Sequence, residues 1–446
     1  MLLRQTILGS LLAVAIASFT ALAQCPVVKL EVEKLPSLNT PRTGHSTLVA
    51  NGDIVVVGGH TTGFVPTATA EHLSNGMWHQ VPLVYEHDNT MALMLSSGKM
   101  LIAGGSEKSL GIGQTFPVEL YDPSNDMGTG FGCLFSKRAL ASGVEIDSGK
   151  VIIAGNWHRG DTIECFDGGD KFSFVKEASQ PRANPFMLRC SADNVMIFGR
   201  MSSEGEPYDH VVVYQLKGEH FMPELFKTWT PLPFLTAFNS SVSFIGDIKK
   251  GLYSYLIPVV NKEGQLAIAV TRDTTFSLLS TSCAVPMTSH WGKINYLTPV
   301  VVDRNAKRGY VMGRDKDWRY YVLSIDYGDM ASGKSAQLIL YHTGPLPDAG
   351  VQLPVITPDG NIVIVGSLDK KMSNYAPTDA AYKLLLNRSV SSAAWVWWLI
   401  VAIGALLTAS VVYCVIWRKK TGRTDENDDT TNAETLAMDC IETMMR

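Results

Sequence analysis

A short element recurs along this chain and limits what it can fold into. Gly52-Asp53-Ile54-Val55-Val56-Val57-Gly58-Gly59 returns as Gly98-Lys99-Met100-Leu101-Ile102-Ala103-Gly104-Gly105, and again as Gly149-Lys150-Val151-Ile152-Ile153-Ala154-Gly155. The glycines recur about every 46 to 50 residues. Each element is a turn, a β-rich apolar run and a glycine stop, the pattern of a buried strand bounded by turns. A second strand follows at similar spacing, at Glu71-His72-Leu73, Glu119-Leu120-Tyr121-Asp122 and Glu164-Cys165-Phe166-Asp167. A fixed period of this size marks a repeat architecture. A small sheet that is apolar on both faces must stack against like sheets, and closing the stack into a ring removes its exposed edges. The paired glycines let the backbone crowd against the next strand, where a side chain would clash.

The unit resembles the kelch repeat: an apolar strand ending in Gly-Gly, a spaced Glu-x-Tyr-Asp, and a closing Trp, here Trp78. The resemblance implies an all-β, kelch-like β-propeller of the galactose-oxidase central-domain type. It is specific over residues 35–170 and weaker beyond. Val195-Met196-Ile197-Phe198-Gly199 marks a fourth unit without the second glycine. Residues 251–256 with 265–270, 309–313 with 320–325, and 359–366 with 381–385 mark the fifth, sixth and seventh. Residues 25–387 number 363, about 52 for each of seven blades. Six blades is the alternative, because units five and six lack the glycine motif. Lys29 to Lys34 alternates polar and apolar, so it is expected to be the last strand of the final blade, donated from the N-terminus to close the ring.

The two ends set a topology. Residues 1–23 carry Arg4, an apolar run from Ile7 to Leu22 and the small-residue site Ala21-Leu22-Ala23, the pattern of a secretory signal peptide cut before Gln24. A lipid anchor on Cys25 is the rival, disfavoured because Gln24 stands where that site wants a small residue. Residues 24–387 form the expected propeller ectodomain and 388–392 a juxtamembrane linker. Residues 393–417 hold 25 residues without a charge, long enough to cross a bilayer. Trp395, Trp397 and Trp398 at one end, with Tyr413 and Trp417 at the other, supply interfacial belts, and Arg418, Lys419, Lys420 and Arg423 place the tail inside. The expected protein is therefore single-pass in the cytoplasmic membrane, with its ectodomain periplasmic. In the tail, residues 418–446, Asn432 can cap a short helix with Ala433, Ala437, Cys440, Ile441 and Met444 on one stripe. That stripe fits self-association or a partner.

A formal net charge of −4 gives no basic footprint, so nucleic-acid binding is not expected. Five cysteines fall in the ectodomain, Cys25, Cys133, Cys165, Cys190 and Cys283, with no CxxC and no metal spacing. They are expected to be isolated buried thiols, and the odd number leaves at least one unpaired or paired between chains. No metal and no cofactor is expected.

Propeller function sits in loops held by the rigid ring. In kelch-like propellers one face carries the loops between blades and those after each Gly-Gly. Here these hold Arg42, His45, His60, His87, Arg138, Trp157, His158, Arg159, Arg182, Arg200 and Arg314. Groups repeated in every unit are expected to hold blades together: Arg42, Arg138 and Arg182, Glu71, Glu119 and Glu164, with Gly58, Gly59, Gly104, Gly105 and Gly155. The non-repeated Trp157, His158, Arg159, His60, Arg200, Trp291 and Arg314 are the candidate ligand-binding residues. Trp157 offers a flat surface for a sugar ring, and the cations suit an anionic ligand, glycan or peptide.

The resemblance also implies possible enzymes. Copper radical oxidases need a His/Tyr site with a Tyr–Cys link, for which no motif is found here, and sialate epimerases use Arg and Glu groups in the mouth. No Gly-x-Ser-x-Gly elbow is present. No catalytic residue is therefore singled out. The expected role is binding of a ligand or partner outside the membrane, extended to sensing through the single span. A membrane-tethered sugar epimerase or mutarotase and a structural envelope adaptor remain as alternatives.

Overall fold

The computed structural model divides the chain into two compact units, residues 1–387 and 388–446. It describes residues 25–386 except 108–112, 114, 148–149, 157–161, 167–171, 178–184, 193, 199–210, 218–221, 230–234, 237–242, 245–252, 261–265, 273–274, 284–300, 316, 329–334, 350–353 and 367–375. The expected signal peptide, the 393–417 span and the 418–446 tail lie outside the described residues. Among the described residues no helix is long and apolar enough to cross a membrane.

The described residues form an all-β propeller of seven sheets. Blades 1 to 5 span residues 46–87, 91–138, 142–177, 186–229 and 235–278, and blades 6 and 7 are built on 301–345 and 355–385. Seven sheets settle the choice against six. Blades 5 and 6 form without the glycine motif because their strands, such as Ser254–Val260, Leu266–Arg272 and Arg319–Asp326, are rich in β-branched and aromatic residues. The core lies between blades. One cluster interleaves Val55, Val57 and Ala70 of blade 1 with Met100, Ile102 and Tyr121 of blade 2, and equivalent clusters follow around the ring. Burial on both faces explains why the second strands read as unbroken apolar runs.

The ring closes through the N-terminus, with more detail than alternation alone indicated. Val27–Lys29 lies parallel to blade 6, pairing Val27 with Leu340 and Lys29 with His342. The chain then crosses at Leu30, whose N–H donates to the His342 carbonyl at 2.7 Å. Leu30 is 4% exposed and wedges among Tyr310, Tyr320, Ile364 and Leu384 of blades 6 and 7. Glu31–Lys34 next forms the outer strand of blade 7, antiparallel, with Val32 opposite Leu384. One short segment thus completes one blade and braces its neighbour. Lys34 adds an ion pair to Asp348 at 3.5 Å, and Asp348 accepts the Tyr382 hydroxyl at 2.6 Å.

The expectation of isolated thiols is corrected. Cys25 and Cys283 form a disulfide across 258 residues of sequence. Cys25 directly precedes the closing segment and Cys283 follows the outer strand of blade 5, so the ring's fold brings them together. Cys165 and Cys190 are buried and lie outside any disulfide, whereas Cys133, expected to be buried, is exposed.

The glycine pairs have a direct steric role. Gly58 and Gly59 have φ of 65° and 89°, and a Cβ on Gly58 would lie 2.4 Å from the His87 carbonyl oxygen. The Gly59 N–H donates to that same oxygen at 2.7 Å. Gly104 and Gly105 repeat this against the Arg138 carbonyl, with 2.5 Å to the added Cβ and 2.7 Å for the hydrogen bond. Each pair therefore docks the loop that enters the next blade.

Candidate functional site

At one end of the ring the inner strands begin and the second strands stop. The loops here connect successive blades, and two of them carry the same arginine–glutamate arrangement. Arg42 is fully buried, and its Nη1 donates to the carbonyls of Gly58 at 2.8 Å and Thr69 at 2.9 Å. Its Nη2 donates to Thr69 Oγ1 at 3.0 Å and Glu71 Oε1 at 2.7 Å. Glu71 also accepts the backbone N–H groups of Asn39 and Thr40, at 2.6 and 2.9 Å. Blade 3 has the same set. Arg138 donates to Gly155 O, Thr162 O, Thr162 Oγ1 and Glu164 Oε1, and Glu164 accepts from Phe135 and Ser136 N–H. Each carboxylate thus grips the chain arriving from the preceding blade while the arginine ties the carboxylate to its own blade. Burial pulls the Arg42 guanidinium below its ordinary value, and Glu71 opposes that pull.

Blade 2 departs from the pattern. Glu119 accepts Val84 and Tyr85 N–H at 2.8 and 3.0 Å, yet the partner in the arginine's place is His87. The sequence gives no hint of this, because only the residue type differs and the position shows up through the shared glycine contact.

His45 lies deep beside Arg42. Its Nε2–H donates to the Val365 carbonyl at 3.1 Å, linking blade 1 to blade 7. Burial, followed by the nearby Arg42 charge, pushes its pKa down to about 3, so it is neutral at ordinary pH. Arg42, His45, His87 and Arg138 are therefore inside the wall at this end.

One polar group at the same end belongs to no staple. His60 Nδ1–H donates to Asp88 Oδ1 at 2.7 Å, across the seam between blades 1 and 2. Asp88 Oδ2 accepts from Ser106 Oγ at 3.0 Å and Asn89 Nδ2 at 2.9 Å. The Phe64 ring tilts against His60 with centroids 5.1 Å apart. His60 follows the Gly58-Gly59 stop, Asp88 and Asn89 lead into the inner strand Met91–Met94, and Ser106 follows Gly105. Asp88 orients the imidazole, so Nε2 is the ring nitrogen left over for a further hydrogen bond. Sequence reading chose His60 but missed Asp88, Asn89 and Ser106. The available signal was their place beside the repeated glycines.

Of the other candidate residues, Arg314 ends the second strand of blade 6 and is buried, its guanidinium carbon 3.9 Å from the Trp318 ring centroid. Trp157, His158, Arg159, Arg182, Arg200 and Trp291 lie outside the described residues. At the opposite end, sequence reading missed a clasp between blades 1 and 2. There His72 places Nδ1 2.9 Å from Asp126 and Nε2 3.3 Å from Asp53, and Tyr121 donates to Asp126 at 2.5 Å. Among the described residues no group of three or more His, Cys, Asp or Glu side chains is placed to hold a metal ion.

No protein-family profile matches the chain, and no curated protein matches it. Among solved structures it is similar to that of YjhT, with a TM-score of 0.40 and 11% identity over 78% of this chain and 96% of that one. A likeness of that degree carries no argument about the site.

Proposed function

We propose that this chain is a membrane-anchored, kelch-like propeller that binds a hydroxyl-rich or anionic ligand outside the membrane, at the end bearing His60, and relays occupancy through a single span. The observation that carries this reading is the His60–Asp88–Asn89–Ser106 group. It sits on inter-blade loops, uses side chains that the blade staples do not need, and leaves His60 Nε2 oriented for a further hydrogen bond. The Cys25–Cys283 disulfide supports an oxidising, extracytoplasmic setting, which fits the N-terminal leader pattern. The apolar run at 393–417 supports the anchor. With Arg42 and Arg138 neutralised by their glutamates, a neutral polyhydroxylated ligand such as a glycan suits the described part of this end better than a strongly anionic one.

The test is a thermal-shift screen of the purified full chain against neutral and acidic sugars. A ligand that binds the folded state raises the midpoint by mass action. His60→Ala and Asn89→Ala should abolish the shift while leaving the unliganded midpoint within a few degrees. A shift that survives both substitutions would place the ligand elsewhere, and no shift with any sugar would favour the envelope-adaptor role. A second reading, proton transfer on a bound sugar, is favoured by the Asp88-oriented imidazole. Anomer or epimer exchange lost in His60→Gln would support it.

A further inference from the structure

We propose that blades 1 and 2 are joined by a proton-dependent clasp, in which His72 of blade 1 bridges Asp53 and Asp126 as an imidazolium and grips less firmly once it loses that proton. A neutral imidazole has one N–H and one lone pair, and only the doubly protonated ring donates from both nitrogens. His72 Nδ1 stands 2.9 Å from Asp126 Oδ1, and Nε2 stands 3.3 Å from Asp53 Oδ2. Both nitrogens therefore face carboxylate oxygens. With a single ring proton, one of the two contacts would set a nitrogen lone pair against a carboxylate oxygen.

The fold fixes all three groups. His72 lies on Val65–Ser74 and is buried. It opposes Val55, two residues on from Asp53, so the His72 and Asp53 side chains share a face of the blade 1 sheet. Asp126 holds a left-handed position in the turn before Met127–Arg138 of blade 2, with φ of 56°, and its Oδ1 also accepts the Tyr121 hydroxyl. Burial, then the bond to Asp126, pushes the Tyr121 hydroxyl above its ordinary value, so it keeps its proton and remains a donor. The other titratable groups at this end of the adjoining strands are His79, opposite His72 in register, and the Lys99–Asp122 pair of blade 2, 3.6 Å apart. A charge on the exposed His79 opposes one on His72, and two carboxylates in direct contact outweigh it.

The same seam meets histidine twice more. His60 bonds Asp88 at 2.7 Å at the other end, and His87 faces Glu119 at 3.6 Å in the wall. Between blades 2 and 3 the equivalent wall contact is Arg138 with Glu164, whose cation does not titrate in water. Blades 1 and 2 thus meet through side chains of the type that changes charge near neutral pH, and blades 2 and 3 through a fixed charge. The closed seam holds a proton that separated blades release, so closure weakens as pH rises through the ordinary histidine range near 6.5. Asp53 and Asp126 are 44% and 39% exposed, which gives the proton a path to water and limits each contact to a factor of about 1.5 to 5. The clasp stands whether or not the His60 end binds a ligand.

The test is a double-mutant cycle on the purified full chain: wild type, His72→Gln, Asp126→Asn and the two combined, unfolded in urea at pH 5.5 and pH 8.0. Asp126→Asn keeps the side chain's size and an acceptor oxygen and removes its charge. His45 weakens the fold in acid, in the opposite sense, but it is common to all four proteins and cancels in the cycle. His72 and Asp126 should be coupled by about threefold to fivefold in the unfolding constant at pH 5.5 and by almost nothing at pH 8.0. Should a variant fail to fold, hydrogen exchange of the wild-type chain decides, corrected for the intrinsic change of exchange rate with pH. The Val84 and Tyr85 amides, held across this seam by Glu119, should lose about threefold in protection from pH 5.5 to 8.0 relative to Phe135 and Ser136, held by Glu164. Coupling that is equal at both pH values or stronger at pH 8.0 overturns the clasp, and so does protection that changes alike at the two seams.

Discussion

Removing the Cys25–Cys283 bond should weaken the propeller as much as a large core truncation does. The perturbation is the paired substitution Cys25→Ser and Cys283→Ser, made in chain secreted to an oxidising compartment. The two residues are 258 apart, so the cross-link constrains most of the unfolded ring. The chain-entropy relation gives about 19 cal/mol/K for a loop of that length, or about 6 kcal/mol at 25 °C. Measured losses usually fall short of this relation, and a drop of about 2–5 kcal/mol is the expected outcome. The assay is tryptophan fluorescence during urea unfolding in non-reducing buffer, with inactivation half-life at fixed temperature as a kinetic companion. Reductant should bring the wild type down to the level of the double variant and leave the variant unmoved. Cys133→Ser, at an exposed free thiol, should behave as wild type in both buffers. A double variant as stable as wild type without reductant would refute the reasoning.

Other outcomes follow from the staples and the seam. Arg42→Met strands a buried Glu71 and should cost about 3–5 kcal/mol by urea unfolding, whereas replacing both partners with apolar residues should cost less. Leu30→Ala empties the wedge between blades 6 and 7 and should cost about 2–5 kcal/mol. His45 is neutral in the fold down to about pH 3, while in the unfolded chain it takes a proton below its ordinary value near 6.5. The unfolded state then binds more protons, so stability is lost as pH falls from about 6.5 towards 3, by up to about 1.4 kcal/mol per pH unit. His45→Gln, measured by urea midpoints across that window, should flatten the slope.

Much of the architecture was legible because its cause is local. A Gly-Gly stop after an apolar run encodes a close approach between neighbouring blades, and Gly58 and Gly104 show that approach in their contacts with His87 and Arg138. Alternation in Lys29 to Lys34 announced an outer strand, since one of its faces meets solvent. The break at Leu30 was invisible, because it depends on the geometry between two blades that lie at the far end of the chain. The disulfide was hidden for the same reason: sequence spacing carries no information about which distant cysteines a ring brings together. At the candidate site His60 could be picked out by its place after the glycines. Its partner Asp88 belongs to the next blade, and nothing in residue type alone joins them. His87 was hardest to read, since its role is defined by an arginine that is missing.

The crossing at Leu30 also sets an order for biogenesis. The segment that finishes blades 6 and 7 leaves the ribosome before the strands it completes, and its partners Gln337–Pro345 and Ala381–Leu385 emerge some three hundred residues later. During that interval its amphipathic strand has no native mate. A cell making this protein must keep an early, sticky stretch of polypeptide from wrong pairings until those strands have been made, which makes the first-made strands of the ring the last to find their place.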